Sequence, residues 1–215
     1  AALAKDIKQN IDEDEETDKH DNYNDTQELL VLLTGNLDKI AKHGDNTVRI
    51  VKAMEELLKV LEMQEEILQF SHFTNEDSWA LGCQIVAEAA RLGAGVAVSI
   101  RLNNGYTVFQ HGMDGTNLIN AQRLERKQQT VKLTEESSLQ MYVRLKQREK
   151  ELEELIPDSS GCLAVGGAFP IRVEEVGVIG SVAASGLGHV ADHDLLVKCI
   201  SRYLHVDEVP RIRAV

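Results

Sequence analysis

Asn103-Asn-Gly105 stands between two alternating runs, Val96-Ala-Val-Ser-Ile-Arg-Leu102 and Tyr106-Thr-Val-Phe-Gln110. Asparagine and glycine accept the positive φ that a tight two-stranded turn requires, so this pattern is the strongest short-range signal for a β-hairpin. Side chains alternate across a strand, which puts Val96, Val98, Ile100 and Leu102 on one face, expected to meet a core. A second strand pair follows in Gly166-Gly-Ala-Phe-Pro-Ile-Arg-Val173 and Gly177-Val-Ile-Gly-Ser-Val-Ala-Ala-Ser185, turned at Glu174-Glu-Val176. Neither pair carries the crossover helix that parallel strands need. The expected fold is therefore α+β, an antiparallel β-sheet flanked by helices.

The helices have their own punctuation. Thr74-Asn-Glu-Asp77 reads as a capping box opening a helix through Trp79, Ile85, Val86 and Ala89, stopped by Gly93. Two helical stretches are expected over about 120–131 and 135–155, with Pro157-Asp-Ser-Ser-Gly161 as the break, and a last helix over about 192–203. Before these, Asp25-Thr-Gln-Glu28 resembles another cap. Leu30, Leu33, Leu37, Ile40, Gly44, Thr47, Val51, Met54, Leu58 and Leu61 then step by three and four like a heptad seam. A long N-terminal helix or helical hairpin should thus precede the sheet, packing on other helices or on the following domain. The division expected is residues 1–60 as an acidic, helical association segment and 61–215 as the α+β domain.

Charge and composition exclude several functions. A net charge of −12 lacks the basic face that phosphate contacts require, so nucleic acid is not an expected partner. Asp12-Glu-Asp-Glu-Glu-Thr-Asp18 reads as a solvated acidic run rather than a site. With aromatics at 4%, aliphatic residues must build the core. No stretch approaches the roughly 18 apolar residues of a membrane span, and no signal-like start is present; membrane is not an expected partner and the cytoplasm is the expected location. Cys83, Cys162 and Cys199 are odd in number, set among aliphatic residues and free of Cys-x-x-Cys spacing, which suggests buried thiols in a reducing compartment. The chain opens on Ala-Ala-Leu rather than methionine, as a processed or excised piece would.

The polar residues that could carry chemistry gather beyond the last strand. Gly186-Leu-Gly-His-Val-Ala191 matches the G-x-G-x-x-A spacing of dinucleotide sites, but that motif needs a βαβ unit and a later acidic residue, for which the chain has no room. His189 and His193 are four apart, with Asp192 and Asp194 beside them, so one helical face can present two ring nitrogens to zinc or iron. The alternative is a capping Asp192 and a hydrogen-bonded His193. Arg126 and Lys127 could pair a ligand's carboxylate. Ser137 and Ser138 form no readable hydrolase arrangement.

Two resemblances add to these readings. Asn36-Leu-Asp-Lys-Ile-Ala-Lys-His-Gly44 with Ile50-Val-Lys-Ala-Met54 resembles the second helix of a sensor histidine kinase dimerisation region, without the helix that would carry the phosphoaccepting histidine. Glu65 to Phe70, Thr74-Asn-Glu-Asp-Ser-Trp-Ala-Leu-Gly82, Arg126-Lys127, Ser137-Ser138, Gly166-Gly-Ala-Phe-Pro-Ile171, Gly177-Val-Ile-Gly180, Ser185-Gly-Leu187 and Asp192-His193, in that order over about residues 61–210, resemble the heme-degrading-domain family, HbpS-like and PduO C-terminal-like. That resemblance implies an antiparallel sheet, a homo-oligomer, and heme as cofactor. It also implies Asn120, Arg126, Lys127, Gly166, Gly167 and His193 as binding residues, joined by His189 as the second histidine for iron. The chain departs from the family at Ile119-Asn-Ala-Gln-Arg123, Val165 and Gly188-His189. The expected function is a cytosolic small-molecule, heme-binding and heme-degrading protein. The alternative is a non-enzymatic oligomeric sensing or scaffold module linked to two-component signalling.

Overall fold

A computed structural model describes residues 46–212, with side chains from Val51 onward. The acidic run, the Asp25 cap, the seam as far as Gly44 and most of the kinase-like stretch lie outside the described residues. Residues Val51–Ile212 form one compact unit.

Helix α1 spans Asn46–Ile67 and passes unbroken through residue 60, where the sequence reading divides the chain. Its buried positions are Leu57, Leu58, Leu61, Gln64 and Glu65, the spacing of one helical face. Thus Leu58 and Leu61 of the seam are buried, whereas Val51 is exposed. Two members of that face are polar, and both matter below.

Helix α2, Asn75–Arg91, starts where the capping box predicts. The Asp77 N–H donates to Thr74 Oγ1 at 3.3 Å and the Thr74 N–H donates to Asp77 Oδ2 at 2.6 Å. The sheet comprises β1 (Ala97–Leu102), β2 (Thr107–Gly112), β3 (Ala168–Val173) and β4 (Gly177–Ser185) in the order β2-β1-β4-β3, each neighbour antiparallel. Gly105 takes φ 93° in the first turn, as the Asn-Gly signal requires. Phe70 bridges Val173 alongside β3, while β2 ends the sheet on the other side.

Alternation sorts the strands into two faces. Val98, Ile100, Phe169, Ile171 and Val182 build the main core with α2 and with α5 (His189–Tyr203). Ala97, Ala168 and Ala183 face Leu124 and Val131 of α3 (Leu118–Thr134). Small residues on this second side let α3 lie close to the strands. Gly82 has the same role on the first side, since a Cβ there would sit 2.5 Å from the Phe109 ring.

Helix boundaries differ from the sequence reading for local reasons. Glu135 is left-handed at φ 56° and ends α3, so α4 starts only at Ser138, with Ser137 as its cap. Glu149, left-handed at φ 51°, closes α4 (Ser138–Arg148), and the Lys150 N–H returns to Leu145 O at 3.0 Å. The expected helix to 155 is thereby cut short, leaving a 3₁₀ turn at Leu152–Glu154. One cysteine expectation is corrected: Cys162 and Cys199 are buried, but Cys83 is exposed on α2. Among the described residues, no helix is long and apolar enough to cross a membrane.

Candidate functional site

The start of β3, the end of β4 and the first turns of α5 converge on the middle of α3. Two glycines permit the convergence. A Cβ at Gly166 would collide with the His189 carbonyl oxygen, and Gly167, at φ 112°, would place one 2.7 Å from Lys127 Nζ. Into that space α3 sends Lys127, whose Nζ donates to Ala184 O at 3.2 Å and to Asp192 Oδ2 at 3.3 Å. Asp192 accepts at its other oxygen from the Leu187 N–H at 3.0 Å. Both side chains of this pair are 3% exposed. The pair therefore ties α3 on one face of the sheet to α5 on the other, through the charge-assisted bonds a buried ion pair needs.

The two histidines occupy one side of α5 and are also enclosed. The Gly166 N–H donates to His189 Nδ1 at 3.4 Å, which leaves the ring proton on Nε2, and Tyr142 packs edge-on with centroids 5.0 Å apart. His193 is fully buried beside Phe169. Its Nε2 donates to Gln64 Oε1 at 2.9 Å, and the Gln64 amide donates in turn to Pro210 O at 2.8 Å. The second ring nitrogen, Nδ1, has no partner among the described residues. Burial, and then the neighbouring His189, push the His193 pKa down to about 3, so the imidazole is neutral.

The remaining predicted residues lie around this cluster rather than in it. Asn120 caps α3, accepting from the Asn117 N–H at 3.0 Å, and its amide reaches Ser185 O at 3.4 Å. Arg126 is half-buried. Adjacent helical residues point about 100° apart, and Arg126 faces the loop holding Cys162, where its carbonyl accepts from the Leu163 N–H. Asp194 lies near Arg211 and Lys198, away from Asp192. Among the described residues no group of three or more metal-ligating side chains forms.

Two buried groups of α1 flank the cluster, Gln64, which the sequence reading did not single out, and Glu65, which opens the family-like motif set without an assigned role. Gln64 holds His193. Glu65 accepts from the Ser137 N–H at the start of α4 at 2.7 Å, and with its amide satisfied at both ends Gln140 donates to Glu65 at 3.1 Å and accepts from Arg144. Burial raises the Glu65 pKa to about 7, against the lowering effect of the Ser137 bonds. Both are polar residues falling on the apolar stripe of a helix, which is the one sequence signal Gln64 carries. Another buried carboxylate, Glu88, is held at 2.6–2.8 Å by Lys198, Arg202 and Arg91, which lower its pKa to about 2.

Heme, expected from the resemblance, does not fit the enclosed cluster as built. Both imidazoles are sealed from solvent, one His193 nitrogen is spent on Gln64, and Lys127 is already neutralised by Asp192. A groove elsewhere is open. It measures about 540 Å³ and lies between Val86 and Ala90 of α2, the turn at 93–95, and His111 to Asp114 at the end of β2. Its size lies within the range of ligand sites. It also presents an exposed imidazole beside a thioether, a donor set suited to heme iron.

Known proteins share this architecture. A UPF0303 protein of Yersinia enterocolitica is 37% identical over 152 residues, covering 70% of this chain and 90% of its own length. The crystal structure of Ybr137w superposes with TM-score 0.65 at 27% identity, over 73% of this chain and 96% of that one. A PduOC:heme complex shares the fold at TM-score 0.53 and 21% identity, over 60% of this chain and 93% of that one. The family model described as haem degrading protein HbpS-like matches residues 73–201, which run from the cap of α2 nearly to the end of α5 and contain every strand of the sheet. The chain belongs to the HbpS-like family.

Proposed function

We propose that this chain is a small-molecule-binding protein whose ligand is heme. The groove of about 540 Å³ carries the reading, because it offers space and a solvent-accessible imidazole, whereas the imidazoles of the enclosed cluster are sealed from solvent. The family description and the heme complex of a protein with the same fold support the choice of ligand. In this reading Lys127, Gly166, Gly167, His189 and His193 hold the strands and α5 in register, and Asn120 and Arg126 fix α3. They are framework, and heme binding does not require them to touch the ligand. Degradation of bound heme belongs to the same proposal; the oxygen chemistry would be that of the heme, and the protein would supply position and shielding. So does a cytoplasmic location, which the singly buried Cys162 and Cys199 suit.

Titration of the full chain with hemin, followed at the Soret band, tests the reading. A saturable shift at one heme per chain is expected, and an unshifted band overturns it.

A second reading, an oligomeric scaffold, is favoured by one observation. Trp79, Leu118 and Val176 are 64%, 72% and 70% exposed, apolar surface that a second copy of the chain could cover. Light scattering at a multiple of the chain mass is expected, and a strictly monomeric mass would overturn this second reading.

A further inference from the structure

We infer that His111 is the protein ligand to heme iron, and that the α2–β2 groove holds the ring, in place of the His189 and His193 pair that the sequence suggests. The inference rests on the heme reading above and assigns its site.

Register supplies the first argument. His111 pairs with Val98 in the β1–β2 ladder, and cross-strand partners share a face, so the imidazole lies on the same side of the sheet as α2. β2 lies at the margin of the sheet, and that side chain is exposed. An iron ligand needs a neutral nitrogen with room around it, and His111 has the room that His189 and His193 lack.

The groove walls supply the second. Val86, Ala90 and Met113 give an apolar lining, with Val86 and Met113 continuous with the main core. Glycines keep the space open: a Cβ on Gly93 would meet nothing within 4 Å, and one on Gly112 would meet only the Thr116 hydroxyl, at 3.1 Å. These glycines differ from Gly166 and Gly167, where a Cβ would strike backbone or Lys127. The small residues at 90 and 93–95 and Gly112 leave the imidazole facing an open groove.

Charge supplies the third. Asp114, exposed at the groove, is the one ionisable group besides His111 in its lining. A carboxylate there disfavours burying the acidic edge of the ligand, so the propionates stay in water on the open side. No buried cation is then needed, which accords with Lys127 being committed to Asp192.

The test uses the full chain with hemin as probe and compares five proteins by Soret titration and by electron paramagnetic resonance of the ferric complex. His111→Ala removes the donor. Ala90→Phe fills the groove from an exposed helix position and leaves His111 in place. His72→Ala and His205→Ala are controls at other exposed histidines. Expected are a loss of affinity of about tenfold or more in His111→Ala, with loss of the nitrogen-ligated signal, a comparable loss in Ala90→Phe, and unchanged binding in both controls. If the wild type binds while His111→Ala and Ala90→Phe bind equally well, the site is overturned and heme binding stands. If all three histidine variants lose affinity alike, hemin is adventitious on surface histidines and the site is likewise overturned. If the wild type shows no shift, heme binding itself falls, and the site with it.

Discussion

Two regions of this molecule are built from the same ingredients, glycine beside histidine, and put them to opposite use. Where β3 begins, glycine lets backbone approach backbone. Gly166 abuts the His189 carbonyl, Gly167 makes way for Lys127, and the result is an enclosed polar cluster with the Lys127–Asp192 pair 3% exposed. At the α2–β2 groove, Gly93 borders open space, Gly112 faces only the Thr116 hydroxyl and Gly95 abuts the Asp114 carbonyl, yet His111 stays exposed. A glycine-rich motif near a histidine therefore does not identify a ligand site. What distinguishes the two regions is whether the fold encloses the histidine or leaves it exposed, which is a property of the folded chain.

The largest expected effect lies in the enclosed region. Lys127→Met leaves the Asp192 carboxylate buried without its cation, and breaking a buried pair in this way costs about 3–5 kcal/mol. Urea denaturation should show the midpoint falling with an unchanged slope. A loss under 1 kcal/mol would mean that the cluster is open enough to hydrate Asp192, and the contrast with the groove would fail.

Two enclosed groups oppose each other in pH. Glu65 has its pKa raised to about 7 in the fold, so it binds a proton more tightly when native. Its contribution is complete below its unfolded value and is lost as pH rises through about 7. His193 has its pKa lowered to about 3. Its contribution is complete above its unfolded value and is lost as pH falls toward about 3. Between about pH 4.5 and 6.5, the ordinary values of the two groups, their slopes oppose, and the pair gives a flattened profile. Glu65→Gln retains an acceptor for the Ser137 N–H and removes one slope. Its stability should rise with pH across that window, by a change on the order of 3 kcal/mol at one pKa unit per 1.4 kcal/mol. A variant profile parallel to the wild type would show that Glu65 is not the buried acid described.

Legibility followed sequence separation. The Asn103–Gly105 turn, the Thr74–Asp77 box and the strand alternation are local, and all three reappear in the fold. The start and end of α4 did not read correctly because Glu135 and Glu149 adopt left-handed conformations that glycine usually takes. In the candidate site, the sequence placed Asp192 and His193 in the last helix and paired His189 with His193 by their spacing, and α5 does start at His189. It could not show that Gln64, 129 positions from His193, occupies one ring nitrogen. Nor could it show that Lys127 is matched by Asp192, 65 positions away, before any ligand arrives. The groove went unread because His111 is a lone residue in an alternating strand, and nothing in the sequence says that β2 is the end strand.

The smallest stability effect should come from the residue with the largest expected effect on binding. His111 is exposed, and none of its side-chain bonds holds two elements together in the way the Gln64–His193 bond joins α1 to α5. His111→Ala should therefore change stability by no more than about 0.5 kcal/mol, the usual range for a surface substitution. His193→Ala should lose far more, since it opens space beside Phe169 and strands the Gln64 carbonyl. Paired thermal melts of the two variants without hemin test the contrast directly. If His111→Ala proved as damaging as His193→Ala, His111 would be framework, and the distinction between an enclosed cluster that holds the fold and an open groove that takes a ligand would collapse.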